Sequence, residues 1–248
     1  MRQVPAFSDK YSYLIVGNGR LSKHFQHYFL LKNISFKVWT RNSTESLQSL
    51  EKNAENILIL IKDDAIQNFL ENNSDTFSKK KNLIHCSGML STPLAESAHP
   101  LMTFADELYS LEKYKSINFI TEKGRKRFDE LFPELKNVSY EIESSEKTLY
   151  HTYCVLSGNF TTLMWKFFFD YLKSNNIPDS AAFPYLIATT ENLMKALQPL
   201  SGPLIRNDSN TISKHLEVLE NHPLKNLYIS FIEAYDQMKN EKQNEDNK

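Results

Sequence analysis

YSYLIVGNGRLS, residues 11–22, is the stretch on which the fold turns. The run Tyr11–Gly17 is apolar on both alternating faces and closes on glycine, the pattern of a strand buried on both sides. Beyond it Leu21, Phe25, Tyr28 and Phe29 recur at helical spacing. A strand, a Gly-x-Gly turn and a helix in immediate succession form an anion cradle. The first glycine permits the tight turn, the second lets a diphosphate approach the backbone, and the helix N-terminus faces the negative charge. Ser22 stands where a third glycine would bring helix and strand together. Gly17, Asn18, Gly19, Arg20 and Leu21 are therefore the expected contacts of a dinucleotide.

Working outward, SFKVWT (35–40), NILILIK (56–62) and NLIHCSG (82–88) repeat the apolar run, with amphipathic stretches between them. This alternation predicts a parallel sheet covered by helices on both faces. HPLMTF (99–104), SINFIT (116–121) and VSYEI (138–142) read as further strands, with a helix from about Glu122 to Leu131. From Ser145 onward the strand signal stops. A long helix through residue 175, then helical stretches at 182–198, 210–222 and 223–240, make the rest all-helical, with a polar end (238–248) expected to fray. The predicted fold class is α/β: a Rossmann-type parallel-sheet domain over 1–147, then a helical substrate or dimerisation domain over 148–248, with the active cleft between them.

Composition excludes several classes. In 248 residues, 29 basic and 30 acidic side chains leave a net charge of −1, no electrostatic footprint for nucleic acid or an anionic membrane. No apolar run approaches the ~20 residues of a membrane span, and the first residues lack the apolar core of an export signal. Two cysteines, Cys86 and Cys154, cannot form a disulfide framework, which fits a reducing cytoplasm. The His, Cys and acid spacings match no metal site.

The end of the second strand bears on the cofactor. An acid about 20 residues after the glycine turn would hold the ribose 2′-hydroxyl of NAD; WTRNST (39–44) offers none before Glu45. Arg41 can clamp a 2′-phosphate, with Thr40 and Asn42 beside it, so NADP is the better fit. Arg41 could equally be a solvated surface residue. Lys62 and Asp63, after the third run, would border the adenine side, and Ser87 and Gly88 the nicotinamide. Of the histidines, His85 reads as core; His99, His151 and His215 are candidate proton donors, since imidazole titrates near neutrality. His151 ranks ahead of His99, with Asn159 on the same helix face to position substrate. Arg206, Thr211 and His215 form a polar cluster in GPLIRNDSNTISKH (202–215), where Arg206 could hold a substrate carboxylate or steady a helix start through Asp208.

VGNGRLSKHF (16–25), VWTRN (38–42), IKDDAI (61–66), HCSGML (85–90), HPLMTF (99–104), YHTYCVLSGNF (150–160) and GPLIRNDSNTISKHL (202–216) together resemble a family of bacterial Rossmann-like proteins with a C-terminal domain of unknown function. That family is similar to ketopantoate reductase, pyrroline-5-carboxylate reductase and the deazaflavin-linked NADP reductases. The resemblance implies a C-terminal domain of the 6-phosphogluconate dehydrogenase type, often used to form dimers, and an oxidoreductase with a small-molecule substrate. Two departures are expected: Asn207 replaces a family glycine, and the long helix lacks an opening lysine, His151 standing in that region. The second supports a rival reading, a non-catalytic Rossmann-type sensor or scaffold. Nicotinamide bound against a polar pocket containing His99 or His151 would separate the two.

Overall fold

Seven strands form one sheet in the order β2-β1-β3-β4-β5-β6-β7; the computed structural model describes residues 10–195 and 200–246. The strands are β1 (Tyr11–Val16), β2 (Phe36–Trp39), β3 (Ala54–Ile59), β4 (Asn82–His85), β5 (Glu96–Pro100), β6 (Phe119–Glu122) and β7 (Ser139–Ile142). β1 pairs in parallel with β2 on one side and β3 on the other, and β4 and β5 continue the parallel run. The β5–β6 pair alone is antiparallel. Because the chain crosses β1 between β2 and β3, the loops leaving β1 and β3 diverge and open a crevice at their carboxyl ends.

Alternation explains why both faces are covered. Tyr13 and Ile15 join an aromatic-rich core with Phe25, Tyr28 and Phe29 of α1 (Arg20–Leu31). Leu14 and Val16 turn the other way and meet Ile66 and Leu70 of α3 (Asp63–Asn72). All four β1 side chains are buried, so no register slip could leave an apolar face in water. Two short helices, α2 (Leu47–Glu51) and α4 (Leu111–Lys115), start on serine caps, Ser46 and Ser110, whose hydroxyls accept from the N–H three residues on.

Three expectations need correction. The fifth strand occupies 96–100 rather than 99–104. Pro100 ends it and the Met102 N–H folds back to the Pro100 carbonyl at 2.8 Å, while Glu96 is held in the strand by Arg125, Nε to Oε2 3.1 Å. The helix expected over 122–131 shrinks to α5 (Phe128–Leu131), because Glu122 ends β6 as a buried residue and Gly124, at φ +75°, turns the chain. The single long helix from 145 is composite: α6 (Lys147–Cys154), a π-helical stretch over Val155–Phe160, then α7 (Thr161–Ser174). Within the wide stretch the Ser157 hydroxyl donates to the Tyr153 carbonyl at 2.6 Å, and Thr162 donates to that of Gly158 at 2.8 Å. Such side-chain bonds, with a glycine between them, favour a loosened ladder.

The chain divides into two compact units at Phe167/Phe168 rather than at 147/148. The reason is local: α6 is tied to β5 and β6 by Lys147 and Tyr150, as described below. The second unit is helical, with the remainder of α7, α8 (Phe183–Lys195), α9 (Ser209–Val218) and α10 (Lys225–Asp246). The helix expected over 182–198 thus reaches Lys195, and residues 196–198 lie outside the described residues. The polar end expected to fray continues α10 to Asp246, and 247–248 lie outside the described residues. No helix among the described residues is long and apolar enough to cross a membrane.

Candidate active site

The crevice at the ends of β1, β3 and β4 is a cleft of about 380 Å³ lined by Gly17–Leu21, Leu60–Asp63, Cys86 and Ser87 among others. Gly17 adopts φ +108°, and a Cβ there would lie 2.4 Å from the Leu60 carbonyl oxygen. That position requires glycine twice over, for its backbone angle and for its neighbour. Gly19 is different in kind. It is the N-cap of α1 with no side-chain cap, no acid occupies the first turn, and a Cβ there would meet nothing within 4 Å. Open space over uncapped N–H groups at a helix N-terminus is what a diphosphate needs. Ser22 donates to the Gly17 carbonyl at 2.8 Å, so the residue in the third glycine position braces the turn.

The remaining cleft residues fall where their strands end. Lys62 is exposed at the N-cap of α3. Asp63 accepts from the Ser87 hydroxyl at 2.6 Å, tying the β3 loop to the β4 loop. Ser87 therefore has its hydroxyl hydrogen engaged within the protein. Arg20 pairs with Asp106 at 2.9 Å. After β2 the chain turns through Thr40, whose N–H donates to the Ser43 hydroxyl at 2.9 Å. Arg41 and Asn42 are exposed there. Glu45, the first acid after β2, is paired with Lys37 at 3.4 Å. These residues fit a dinucleotide.

Gly88 follows Ser87 of the cleft and packs against two residues of a second cavity. A Cβ added to it would lie 2.5 Å from Cδ2 of His151 and 3.0 Å from Cδ2 and Nε2 of His99. The two imidazoles stand edge to face, centroids 5.7 Å apart at 87°. Together with Met102, Cys154, Ser157, Asn159 and others they line a cavity of about 360 Å³. His99, His151 and Asn159 are thus brought together, the last presented by the π-helical stretch. His99 does not have the near-neutral titration expected of a proton donor. Burial, then His151 and Lys147, pull its pKa down to about 4, so the ring is neutral at pH 7. His85 is core: its Nδ1 accepts from the Ser87 N–H at 3.2 Å, and burial and Lys147 lower its pKa to about 3.

The expected absence of a lysine at the helix start is corrected outright, since Lys147 opens α6. Its Nζ donates to the Leu90 carbonyl, to the Ser97 hydroxyl at 2.6 Å and to Glu122 Oε1 at 2.9 Å, using all three hydrogens. Burial lowers the Lys147 pKa against the opposing pull of Glu122. Burial also acts to raise that of Glu122, but hydrogen bonds from Ser144, Ser91 and Lys147 outweigh it and hold the carboxyl below the usual range. Lys147 is consequently an anchor of α6. Tyr150 was likewise unforeseen; its hydroxyl lies 2.8 Å from His99 Nδ1. A readable signal did exist: Lys147, Tyr150, His151 and Cys154 recur at i, i+3, i+4 and i+7, one stripe of a helix.

In the second unit, Arg206 is 3.9 Å from Asp208, the N-cap of α9, and His215 Nδ1 lies 2.8 Å from the Tyr228 hydroxyl. Thr211 is half-buried in the first turn of α9. Asn207 takes φ +52°, the left-handed region that asparagine tolerates better than most residues, so the turn expected of a glycine is available to it. Among the described residues no cluster of three or more His, Cys, Asp or Glu side chains could hold a metal ion.

Sheet order, glycine turn and crevice define a Rossmann-like domain, here joined to a helical unit. Residues 116–234 match the family model described as Domain of unknown function (DUF2520). Solved structures share the architecture. A proposed NADP oxidoreductase from Bacteroides fragilis is 20% identical, over 92% of this chain and 98% of that one, with a TM-score of 0.74. A reductive aminase from Aspergillus terreus in complex with NADPH and ethyl levulinate is 13% identical, over 91% and 94%, at 0.60. Pyrroline carboxylate reductase from Plasmodium falciparum, with NADP bound, is 14% identical, over 91% and 96%, at 0.57. The comparison with curated proteins returns no match. The fold is the one these proteins share, and the resemblance seen in the sequence stands.

Proposed function

We propose that the protein is an NADP-dependent oxidoreductase that reduces a carbonyl or imine in a small, carboxylate-bearing substrate. The observation that carries this reading is Gly88. Ser87, its neighbour, lines the glycine-turn cleft, while Gly88 itself packs against the two imidazoles of the second cavity. A dinucleotide lying across the cleft would end beside His99 and His151. Bound NADPH supplies the hydride. Gly17, Asn18, Gly19, Arg20 and Leu21 would hold the diphosphate, Thr40, Arg41 and Asn42 the 2′-phosphate, and Lys62 and Asp63 would border the adenosine side. At the other end, the Gly88 backbone would border the nicotinamide. His151 hands a proton to the atom that gains charge, and Asn159 orients the substrate. Arg206, Thr211 and His215 are proposed as substrate contacts on the strength of their segment, which lies within the matched family model. The reading places the protein in the cytoplasm.

Calorimetry tests the cofactor assignment. NADPH is expected to bind at least tenfold more tightly than NADH, and Arg41→Ala to narrow that gap. Gly19→Ala, which meets no protein atom, should leave the unfolding free energy within about 0.5 kcal/mol and still weaken NADPH binding at least tenfold. Equal affinity for both cofactors would remove the Arg41 assignment. NADPH binding without turnover across a panel of ketones, aldehydes and cyclic imines would favour the sensor reading, which the full engagement of Lys147 also suits.

We further propose that the protein is a homodimer through its C-terminal helices. In the second unit only Leu172 and Ala182 are buried among the described residues. Tyr171, Tyr185, Ile187, Leu193, Met194 and Val218 are each more than half exposed. A helical layer with so little core of its own leaves apolar area for a second copy to cover. Light scattering at micromolar concentration should give twice the chain mass, and a monomer would end the proposal.

A further inference from the structure

Tyr150 has no place in the mechanism above, yet it makes the closest polar contact to His99. Its hydroxyl is 2.8 Å from Nδ1, with ring centroids 5.5 Å apart at 82°. His99 and Cys154 line the second cavity and Tyr150 does not. Tyr150 thus grips the Nδ1 edge of the imidazole, while the opposite edge, Cδ2 and Nε2, faces Gly88.

The direction of the hydrogen bond follows from donor and acceptor strength. A phenol has one hydrogen to give. The unprotonated nitrogen of a neutral imidazole is a strong acceptor, and a phenol O–H is a better donor than an imidazole N–H. The bond therefore runs from Tyr150 Oη–H to His99 Nδ1. A ring that accepts at Nδ1 carries its proton on Nε2.

We infer that Tyr150 is a positioning residue that locks His99 as the neutral Nε2–H tautomer, so that an imidazole N–H donor stands beside Gly88 and steadies the oxygen or nitrogen that becomes negative during reduction. The inference rests on the oxidoreductase reading for its purpose but not for its structural content. Burial keeps the ring uncharged, so His99 acts as a fixed dipole rather than as an acid. That divides labour between the two histidines: His99 polarises and His151 is left to transfer the proton.

Long-range ¹H–¹⁵N correlation spectra of the imidazoles, recorded on the labelled full chain at pH 7.5, read the tautomer directly. His24 and His85 also carry Nε2–H by their contacts, because His24 Nε2 lies 2.8 Å from the Ala105 carbonyl and His85 Nδ1 accepts from Ser87. The His99 signals are therefore assigned by their loss in His99→Gln. The expected parent spectrum shows His99 wholly as Nε2–H. In Tyr150→Phe the two ¹⁵N shifts should move toward an exchange average, with NADPH affinity unchanged within about twofold. Either an Nδ1–H parent, which needs no variant to fold, or an unaltered tautomer in Tyr150→Phe overturns the inference. Failure of the parent to bind NADPH would instead sink the oxidoreductase reading and leave the tautomer result standing.

Discussion

Replacing Lys147 by alanine is expected to lower the unfolding free energy by about 3–5 kcal/mol, the range for stripping one partner from a buried ion pair. Lys147 and Glu122 are each almost wholly buried, with side chains 4% and 1% exposed. The loss leaves the Glu122 carboxylate without its counter-charge and frees Ser97 and the Leu90 carbonyl. Removing both charges at once, as Lys147→Met with Glu122→Leu, should cost much less, because the desolvation penalty disappears with the pair. The pH dependence has a definite sign. The folded pKa of Glu122 lies below its unfolded value, so its stabilisation is present above the ordinary carboxylate pKa and lost as pH falls through the lower folded value. Alanine at 147 takes away one cause of that depression, so the stability lost on acidification should be smaller and its loss complete at higher pH. Urea unfolding at a series of pH values measures both effects; a loss below about 1 kcal/mol at pH 7 would show that the pair does not anchor α6.

Gly17→Ala should be nearly as damaging and should abolish NADPH binding as well. The new methyl carbon would meet the Leu60 carbonyl oxygen at 2.4 Å and its carbon at 2.9 Å, contacts with backbone rather than a movable side chain. The backbone would also be held at φ +108°, which costs a residue with a Cβ about 1–3 kcal/mol on its own. Relief requires β1 and β3 to separate where the Leu60 N–H reaches the Val16 carbonyl at 2.8 Å. A destabilisation of about 3 kcal/mol or more is expected by denaturant titration. The comparison with Gly19→Ala is the informative part. One glycine is needed by the protein and the other by the ligand, so stability and binding should fail together at 17 and separately at 19. A stable Gly17→Ala that binds NADPH normally would contradict the geometry of the turn.

Much of this was legible in the chain itself. Tyr11–Val16, with every residue apolar or aromatic except Ser12, can satisfy its backbone and bury both faces only inside a covered parallel sheet. The glycines at 17 and 19 then mark where that strand must turn tightly into a helix. Local rules suffice there because each requirement lies within a few residues of its cause. The pairing of His99 with Tyr150 and of Glu122 with Lys147 is not local, the partners lying 51 and 25 residues apart in the sequence. Glu122 looks like a helix opener until a buried ammonium meets it, and then desolvation leaves it no choice but the strand end. His99 looks like a neutral-range acid until burial removes its charge. Sequence determined the sheet, the glycine turn and the helical second half, because periodicity and backbone freedom are written residue by residue. Only the tertiary structure decided which buried groups are ionised and which ring nitrogen carries a proton, because those depend on the dielectric and the partners that distant segments bring.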